Sequence, residues 1–516
     1  MAKNIFNTIQ LKKPKKNYFD LTHDVKLSAQ MGELTPIMCM DVVPGDKFDI
    51  SCESIIRFAP LVAPVMHRMD VTMHYFFVPN RILWPNWEKF ITNNGPQGTG
   101  TDIQAPYVTV DSGWLSFPAL VTAQSLRFID YLGIPPIVSG GVSTNINALP
   151  LAAYQAIYNE YYRDQNLVPE VDYKLSDGNN SGVTQKLVDL TTLRLRAWEH
   201  DYFTSSLPFA QKGAAVDIPL GEVSTNAPIY FDQSVPVGTT LTGTPNNAFV
   251  PGSNSPSTST DLFAATAGID IAPTTINDLR RAYRLQEWLE KNARGGTRYI
   301  ESILSHFGVK SSDARLQRPE YITGVKSPVV ISEVLNTTGT SGQLPQGNMA
   351  GHGISVSSGN AGTYRCEEHG WIIGIMSVMP KTAYQQGINK AFTRLEPLDY
   401  FWPSFANIGE QEVKLKELYA YTNNSENTFG YVPRYAEYKF MPSRVAGDFR
   451  TSLNYWHLGR IFNNEPALNK TFIEMSPSAV SRVFAVTDPN AQKLYCHVLN
   501  KVKAVRPMPK YGTPTI

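Results

Sequence analysis

Nine histidines and four cysteines are the residues of this chain best suited to hold a metal or act as nucleophiles. One pair has a chelating spacing. In Cys366-Glu-Glu-His369 a thiol and an imidazole stand three residues apart, which suits zinc. A zinc site needs further ligands. No second pair stands nearby, and an apolar strip follows at once, so the plainer reading is the end of a strand. His352 lies in Gly-His-Gly and reads as a loop residue. His67 and His74 flank or lie in a strand and read as hydrogen-bonded structural groups. GxSxG, GxxxxGK[ST], GxGxxG after a strand and HExxH are all missing. Gly295-Gly296 stands between two helical stretches and reads as helix punctuation rather than a phosphate cradle. A glycosidase-type carboxylate pair could come from anywhere in the chain, and no feature selects one. The sequence therefore predicts no catalytic residue, no metal ligand and no cofactor.

A second pattern is cationic. Lys12, Lys13, Lys15 and Lys16 crowd the first twenty residues, and Pro14 among them disfavours a helix, so this stretch reads as an extended arm. No acid follows Asp488, whereas Lys493, Lys501, Lys503, Arg506 and Lys510 are basic. The formal net charge is only +1, so no global field draws the chain to nucleic acid. Two cationic ends on a near-neutral body can still neutralise phosphates without reading sequence. Tyr18, Phe19, Tyr495 and Tyr511 could stack on unpaired bases. The plain alternative is a pair of solvated ends, or arms packed on a neighbouring subunit. The candidate DNA contacts are Lys12, Lys13, Lys15, Lys16, Lys501, Lys503, Arg506 and Lys510.

The elements that position these residues belong to a chain of 516 residues, long enough for several domains or one heavily decorated one. Its longest clearly apolar strip, 371–379, is far shorter than the roughly 20 residues of a spanning helix, so no membrane insertion is expected. The N-terminal MAKNIFNTIQLKKPKKN has no apolar core, so no secretory signal is expected. Sequons such as those at Asn179 and Asn423 then read as chance matches. Four cysteines without a CxxC fit reduced thiols rather than a disulfide scaffold. Gly and Pro, at 36 each, point to many turns. Charged residues make up 18%, below the usual ~25%, which suggests surface hidden against partners.

Period-two alternation over 47–58 predicts a half-buried strand, with Phe48, Ile50, Cys52, Ile56 and Phe58 on one face. Residues 70–78, apolar on both faces, predict a central strand ended by Pro79. Further strands are predicted at 191–198, 328–334, 371–379, 481–486 and 494–500. Helices are predicted at 151–165, at 276–294 and at about 299–307, the last stopped by Gly308. The 276–294 helix would be capped by Thr275 with Asp278 and would bury a stripe of Ile276, Leu279, Tyr283 and Leu289.

Two stretches differ in composition. Residues 214–270 hold no Lys, Arg or His and five acids, and read as an exposed insertion. Residues 336–364 hold seven glycines and read as a second long loop. Short strands far apart in sequence, with long connections between them, suit a mainly β sandwich whose loops have grown into subdomains.

Several stretches resemble one family. FDLTHDVKLSAQMGELTPIMCMDVVPGDKF (19–48), SSLPFAQKG (205–213), ARGGTRYIESILSHFGVKSSDARLQRPEYITG (293–324), EEHGWIIGIMSV (367–378) and EYKFMPSRVAGDFR (437–450) are similar to the major capsid proteins of Microviridae, specifically the gokushovirus branch. The resemblance spans the chain. It implies an eight-stranded antiparallel jelly-roll β-sandwich with long helical and loop insertions. It also implies a non-enzymatic subunit of a T=1 icosahedral shell of sixty copies, built through pentamers in the bacterial cytoplasm, with the virion as its final place. Implied partners are further copies of the chain, circular single-stranded DNA, an internal scaffolding protein, a small basic DNA-binding protein, a DNA pilot protein and a bacterial surface receptor.

On this reading 1–20 is a basic arm, 21–213 with 271–488 the jelly-roll core, 214–270 a threefold protrusion and 489–516 a basic strand and tail. Receptor candidates on the protrusion are Thr239, Thr240, Thr242, Asn246, Asn247, Phe249, Asn254, Ser257 and Thr260. Two other readings are open from the residues alone: a carbohydrate-binding β-sandwich module, and a metalloenzyme built around Cys366 and His369.

Overall fold

The computed structural model describes residues 15–94, 102–110, 123–135, 144–182, 184–214, 216, 229–231, 242–244, 247–249, 262–264, 276–337, 348–359 and 361–511. The chain divides into two compact units, Met1–Ala210 with Gly295–Ile516, and Gln211–Arg294.

Eleven strands of the first unit make two antiparallel sheets. In chain order they are β1 (Asn17–Asp20), β2 (His23–Ala29), β3 (Thr35–Val42), β4 (Lys47–Phe58), β5 (Met69–Pro79), β6 (Glu320–Pro328), β7 (Val330–Leu335), β8 (Met349–Ser358), β9 (Gly362–Arg365), β10 (Gly370–Pro380) and β11 (Leu494–Arg506). In the larger sheet β4 and β11 form the central ladder, from Lys47 opposite Val505 to Phe58 opposite Leu494. β1 and β2 share the free side of β11, and β8 and β9 share the free side of β4. β7 closes the edge on β8. The smaller sheet runs β6-β5-β10-β3. With β1 and β2 counted as one strand, β8 and β9 as one interrupted strand and β7 as an added edge strand, four positions remain in each sheet, eight in all. The first strand lies beside the last, and successive positions alternate between the sheets except β5 and β6, which pair within the smaller one. This is a jelly roll.

The pattern that predicted β4 is the pattern that builds the core. Phe48, Ile50, Cys52, Ile56 and Phe58 all point inward and are buried. Facing them from the smaller sheet are Val71, Met73, Tyr75, Phe77, Ile372 and Met376. Cys52 Sγ lies 3.7 Å from Met73 Sδ. The Tyr75 hydroxyl crosses the gap to donate to Asn500 Oδ1 at 2.7 Å, and Asn500 Nδ2 donates to the Ile37 carbonyl at 2.9 Å.

β5 and β10 are buried on both faces, which is why their sequences read as unbroken apolar runs. Their outer face carries a second core. There Phe76, Val78, Ile373 and Ile375 meet α1 (Ala123–Tyr131), α2 (Leu149–Ile157) and α3 (Thr184–Thr191). The helix predicted at 151–165 is present as α2, continued by one π-helical stretch, Tyr158–Tyr162. A third cluster, with Phe203, Tyr384, Val413 and Phe429, surrounds the hairpin of Glu410–Lys414 and Thr428–Pro433.

Four expectations need correction. Residues 191–198 are not a strand: Thr191 ends α3, and the rest form only isolated bridges, Glu33 to Leu195 and Ala197 to Glu474. The two arginines of this stretch are held by side chains: Arg194 Nε donates to Gln155 Oε1 at 2.7 Å, and Arg196 to Ser377 Oγ at 2.6 Å. Residues 481–486 are not a strand either. Pro477 opens a 3-10 turn over Pro477–Val483 that buries Val480 and Val483 at a spacing of three. The glycine-rich stretch 336–364 contains β8 and β9. Its glycines serve close approach, since a Cβ on Gly351 would stand 2.4 Å from the Ala63 carbonyl oxygen and one on Gly353 would meet Phe58. Finally, α4 (Ile276–Gly295) forms as predicted, but its stripe is not buried: Ile276 is 71% and Tyr283 66% exposed. Thr275 lies outside the described residues. α5 (Tyr299–Phe307) ends at Gly308 in the left-handed region, as its sequence predicts.

In the second unit two short hairpins are described, Ile229–Phe231 with Leu262–Ala264 and Thr242–Thr244 with Asn247–Phe249.

Candidate nucleic-acid interface

The two basic ends of the sequence become neighbours. β1 pairs with the end of β11, placing Asn17 opposite Arg506, Tyr18 opposite Val505 and Asp20 opposite Lys503. The same row continues across β4 and β9, with Lys47 opposite both Val505 and Arg365. Tyr18, Lys47 and Arg365 are exposed on the outer face of the larger sheet.

The candidate cations divide by what holds them. Lys501 is tied to Glu53. Lys503 is exposed but stands between Asp20 and Asp49 on the flanking strands. Arg506 faces the other way, into the sandwich, where its guanidinium meets the fully buried Asp46 at 2.9 and 3.1 Å. Lys16 donates to the Gly45 carbonyl at 2.8 Å. Lys15 and Lys510 are exposed and have no ion pair among the described residues. Lys12 and Lys13 lie outside the described residues. Lys47 and Arg365 were not singled out in the sequence. Their signal is faint: each sits in the outward phase of a strand, and only the register puts them together.

A groove of about 940 Å³ opens at the Phe58 end of this sheet. Lys26, Arg57, Arg127 and His497 line it with Tyr131 and Tyr495, and Asp130 is the one acid among its lining residues. Tyr495 stands opposite Arg57 in the ladder and is 49% exposed. Cations beside exposed tyrosines can hold phosphates and stack bases. His497 is shared with Asp24, 3.1 Å away.

The pair chosen for zinc chemistry is separated by the fold. Cys366 is buried in the inter-sheet core, where burial pushes its thiol up to about 12. His369 instead packs against the Trp87 ring at 5.6 Å. Among the described residues no group of three or more His, Cys, Asp or Glu is placed to hold a metal ion. His74 donates to or accepts from the Tyr162 hydroxyl at 2.8 Å, and burial, with the Arg196 charge nearby, lowers its pKa to about 4. His67 meets the Lys381 carbonyl at 2.6 Å. His352 lies on β8, not in a loop.

Of the receptor candidates, Thr242, Asn247 and Phe249 fall on the inner hairpin of the second unit, with Thr242 opposite Phe249. Thr239, Thr240, Asn246, Asn254, Ser257 and Thr260 lie outside the described residues.

Comparison with known proteins identifies the family. A profile of the family described as capsid protein (F protein) matches residues 7–516. The chain belongs to this capsid protein family. Within it the chain is a gokushovirus member of the Microviridae. It is 36% identical to capsid protein VP1 of Bdellovibrio phage phiMH2K, over 96% of this chain and 94% of that protein. Against capsid protein VP1 of Chlamydia phage 1 the identity is 34%, over 100% and 98%. Against capsid protein VP1 of Spiroplasma virus 4 it is 30%, over 96% and 94%. As a phage capsid protein it is a virion component that assembles with copies of itself. Among the described residues of this capsid protein, no helix is long and apolar enough to cross a membrane.

Proposed function

We propose that this capsid protein is a non-enzymatic shell subunit, sixty copies of which form a T=1 particle through pentamers around a circular single-stranded DNA genome. The supporting observation is the likeness to three capsid proteins over nearly their whole length. Assembly takes place in the bacterial cytoplasm, helped by an internal scaffolding protein, a small basic DNA-binding protein and a DNA pilot protein. The 214–270 insertion is the threefold protrusion that meets the receptor; its lack of cations and its turn-forming composition suit a solvent-facing tip.

The outer face of the larger sheet faces the genome. Lys47 beside Arg365 at one corner, with Lys15 and Lys510 in the segments leading into β1 and out of β11, and the groove of Arg57, Arg127 and Tyr495 at the other end support this placement. The contacts are sequence-independent, because lysines and arginines on a sheet face hold phosphates rather than reading base edges.

Sedimentation with negative-stain imaging of the peak fractions tests the reading. Sixty copies of 57.4 kDa give about 3.4 MDa before any genome, and round, knobbed particles of that mass are expected. A chain that stays monomeric even with the other phage proteins supplied would overturn it.

A further inference from the structure

One region of the first unit has its polarity inverted. Along 390–408, Phe392 is 78% exposed, Leu395 89%, Leu398 62%, Tyr400 52% and Trp402 49%, and Met441 beside them is 82% exposed. Beneath these apolar tips lies a buried ion pair, Arg394 with Glu437 at 3.4 Å, whose side chains are 10% and 7% exposed. Soluble surfaces place charge outside and apolar groups inside, because an ion pair taken out of water loses hydration it does not fully recover. The arrangement makes sense only if the apolar tips are themselves covered.

The patch is rigid. The Arg394 guanidinium lies 4.0 Å over the Tyr438 ring and 5.9 Å from that of Tyr400. Trp402 Nε1 donates to the Pro397 carbonyl at 2.8 Å, and the Phe401 amide to the Tyr438 hydroxyl at 3.2 Å. Asp399 accepts from the Leu395 and Glu396 amides, which holds the turn and lowers its own pKa. A surface held this firmly loses little conformational freedom on binding.

Its size is informative too. About ten half-exposed large apolar side chains present on the order of 1,000 Å², above the 300–600 Å² of a typical monomer's largest apolar patch and close to one side of a stable protein interface. Nucleic acid does not fit, since Arg394 is turned under the rings and the acids Glu396 and Asp399 are exposed among them.

We propose that this face, centred on Phe392, Leu395 and Trp402, docks on a second copy of the same chain and forms a principal subunit contact of the shell. A second copy is the occupant because the capsid protein assembles with itself and because this area is rigid and of the size one copy–copy contact needs. The proposal rests on the shell reading above.

Leu395→Asp and Phe392→Asp test it. Both side chains project into solvent in the single chain, so the variants fold, with an unchanged thermal melt and far-ultraviolet spectrum. Analytical ultracentrifugation of wild type and variants over a concentration series, alone and with the co-expressed scaffolding protein, then reads assembly. Expected is at least a tenfold rise in the concentration needed for pentamers or particles in each variant. If wild type assembles and both variants assemble at the same threshold, the face is not a copy–copy contact. If the variants assemble normally alone and lose only the scaffold-dependent step, the occupant is the scaffold and the proposal fails. If wild type never assembles under any of these conditions, the shell reading itself fails and takes this inference with it.

Discussion

Arg506, near the end of the last strand, closes on Asp46 in the turn before β4, with Nη2 and Nε at 2.9 and 3.1 Å from one carboxylate oxygen. Asp46 is fully buried and also accepts from the Val43 amide at 3.0 Å. The C-terminal strand is thus locked to the sandwich by its own cation. Arg506→Gln leaves a buried carboxylate uncompensated and costs about 3 kcal/mol. Urea unfolding measures this. An Asp46→Asn, Arg506→Gln double variant recovers part of the loss, and genome content of particles stays unchanged in both.

The cations proposed to face DNA behave differently. Replacing Lys15, Lys47, Arg365 and Lys510 by glutamine leaves the fold intact, since none has an ion pair among the described residues. Single-stranded DNA binding weakens, and the slope of log K against log salt falls by roughly 3. Lys501→Gln, which loses only the Glu53 contact, changes the slope little. An unaltered slope in the quadruple variant removes this face as the genome contact.

Asn500 joins the two sheets by accepting from Tyr75 and donating to the Ile37 carbonyl. Asn500→Ala strands both partners in the core and costs about 1–3 kcal/mol, read from the unfolding midpoint. Val498 and Val502 on either side are buried, so no water reaches the vacated bonds from the strand itself.

Gly32 has φ +83°, and a Cβ there would stand 2.5 Å from the Met475 carbonyl oxygen. Gly32→Ala meets both a backbone penalty and a collision with main chain that has no rotamer to escape to. A loss on the order of 3 kcal/mol follows, with reduced soluble yield. Gly182→Ala, at an open position of ordinary φ, is the silent control.

Acid weakens the fold through His74. Its folded pKa, about 4, lies below the ordinary 6.5, so the unfolded chain binds the extra proton first. The stability it contributes is complete above about 6.5 and drains away as pH falls toward 4. Between pH 7.5 and 5.0 the loss from this group is about 2 kcal/mol. Burial lowers His67 and His457 as well, which adds to the same trend, while buried Glu33 and Glu474, with raised values, oppose it. His74→Gln, which keeps a partner for Tyr162, flattens the pH dependence of the urea midpoint over this range.

The sequence by itself determined the strands whose pattern is local. β4 shows in its alternation, and β5 and β10 show as apolar runs because both their faces are buried. The family is legible in stretches spread along the whole chain. Where a residue's neighbours come from far away, the sequence was silent or misleading. The glycines of 336–364 read as loop, yet Gly351 and Gly353 are strand positions that admit the Ala63 backbone and the Phe58 ring. Arg506 and Lys503 look alike in the chain. β11 places Lys503 in its outward phase and Arg506 in its inward phase, so one reaches solvent and the other a buried carboxylate. Lys47 and Arg365 lie more than three hundred residues apart and become neighbours only through the β4–β9 register. No pattern in the sequence marks Phe392 and Leu395 as exposed. Tertiary structure alone shows that they point outward, because burial is a property of the packed neighbours and not of the side chain itself.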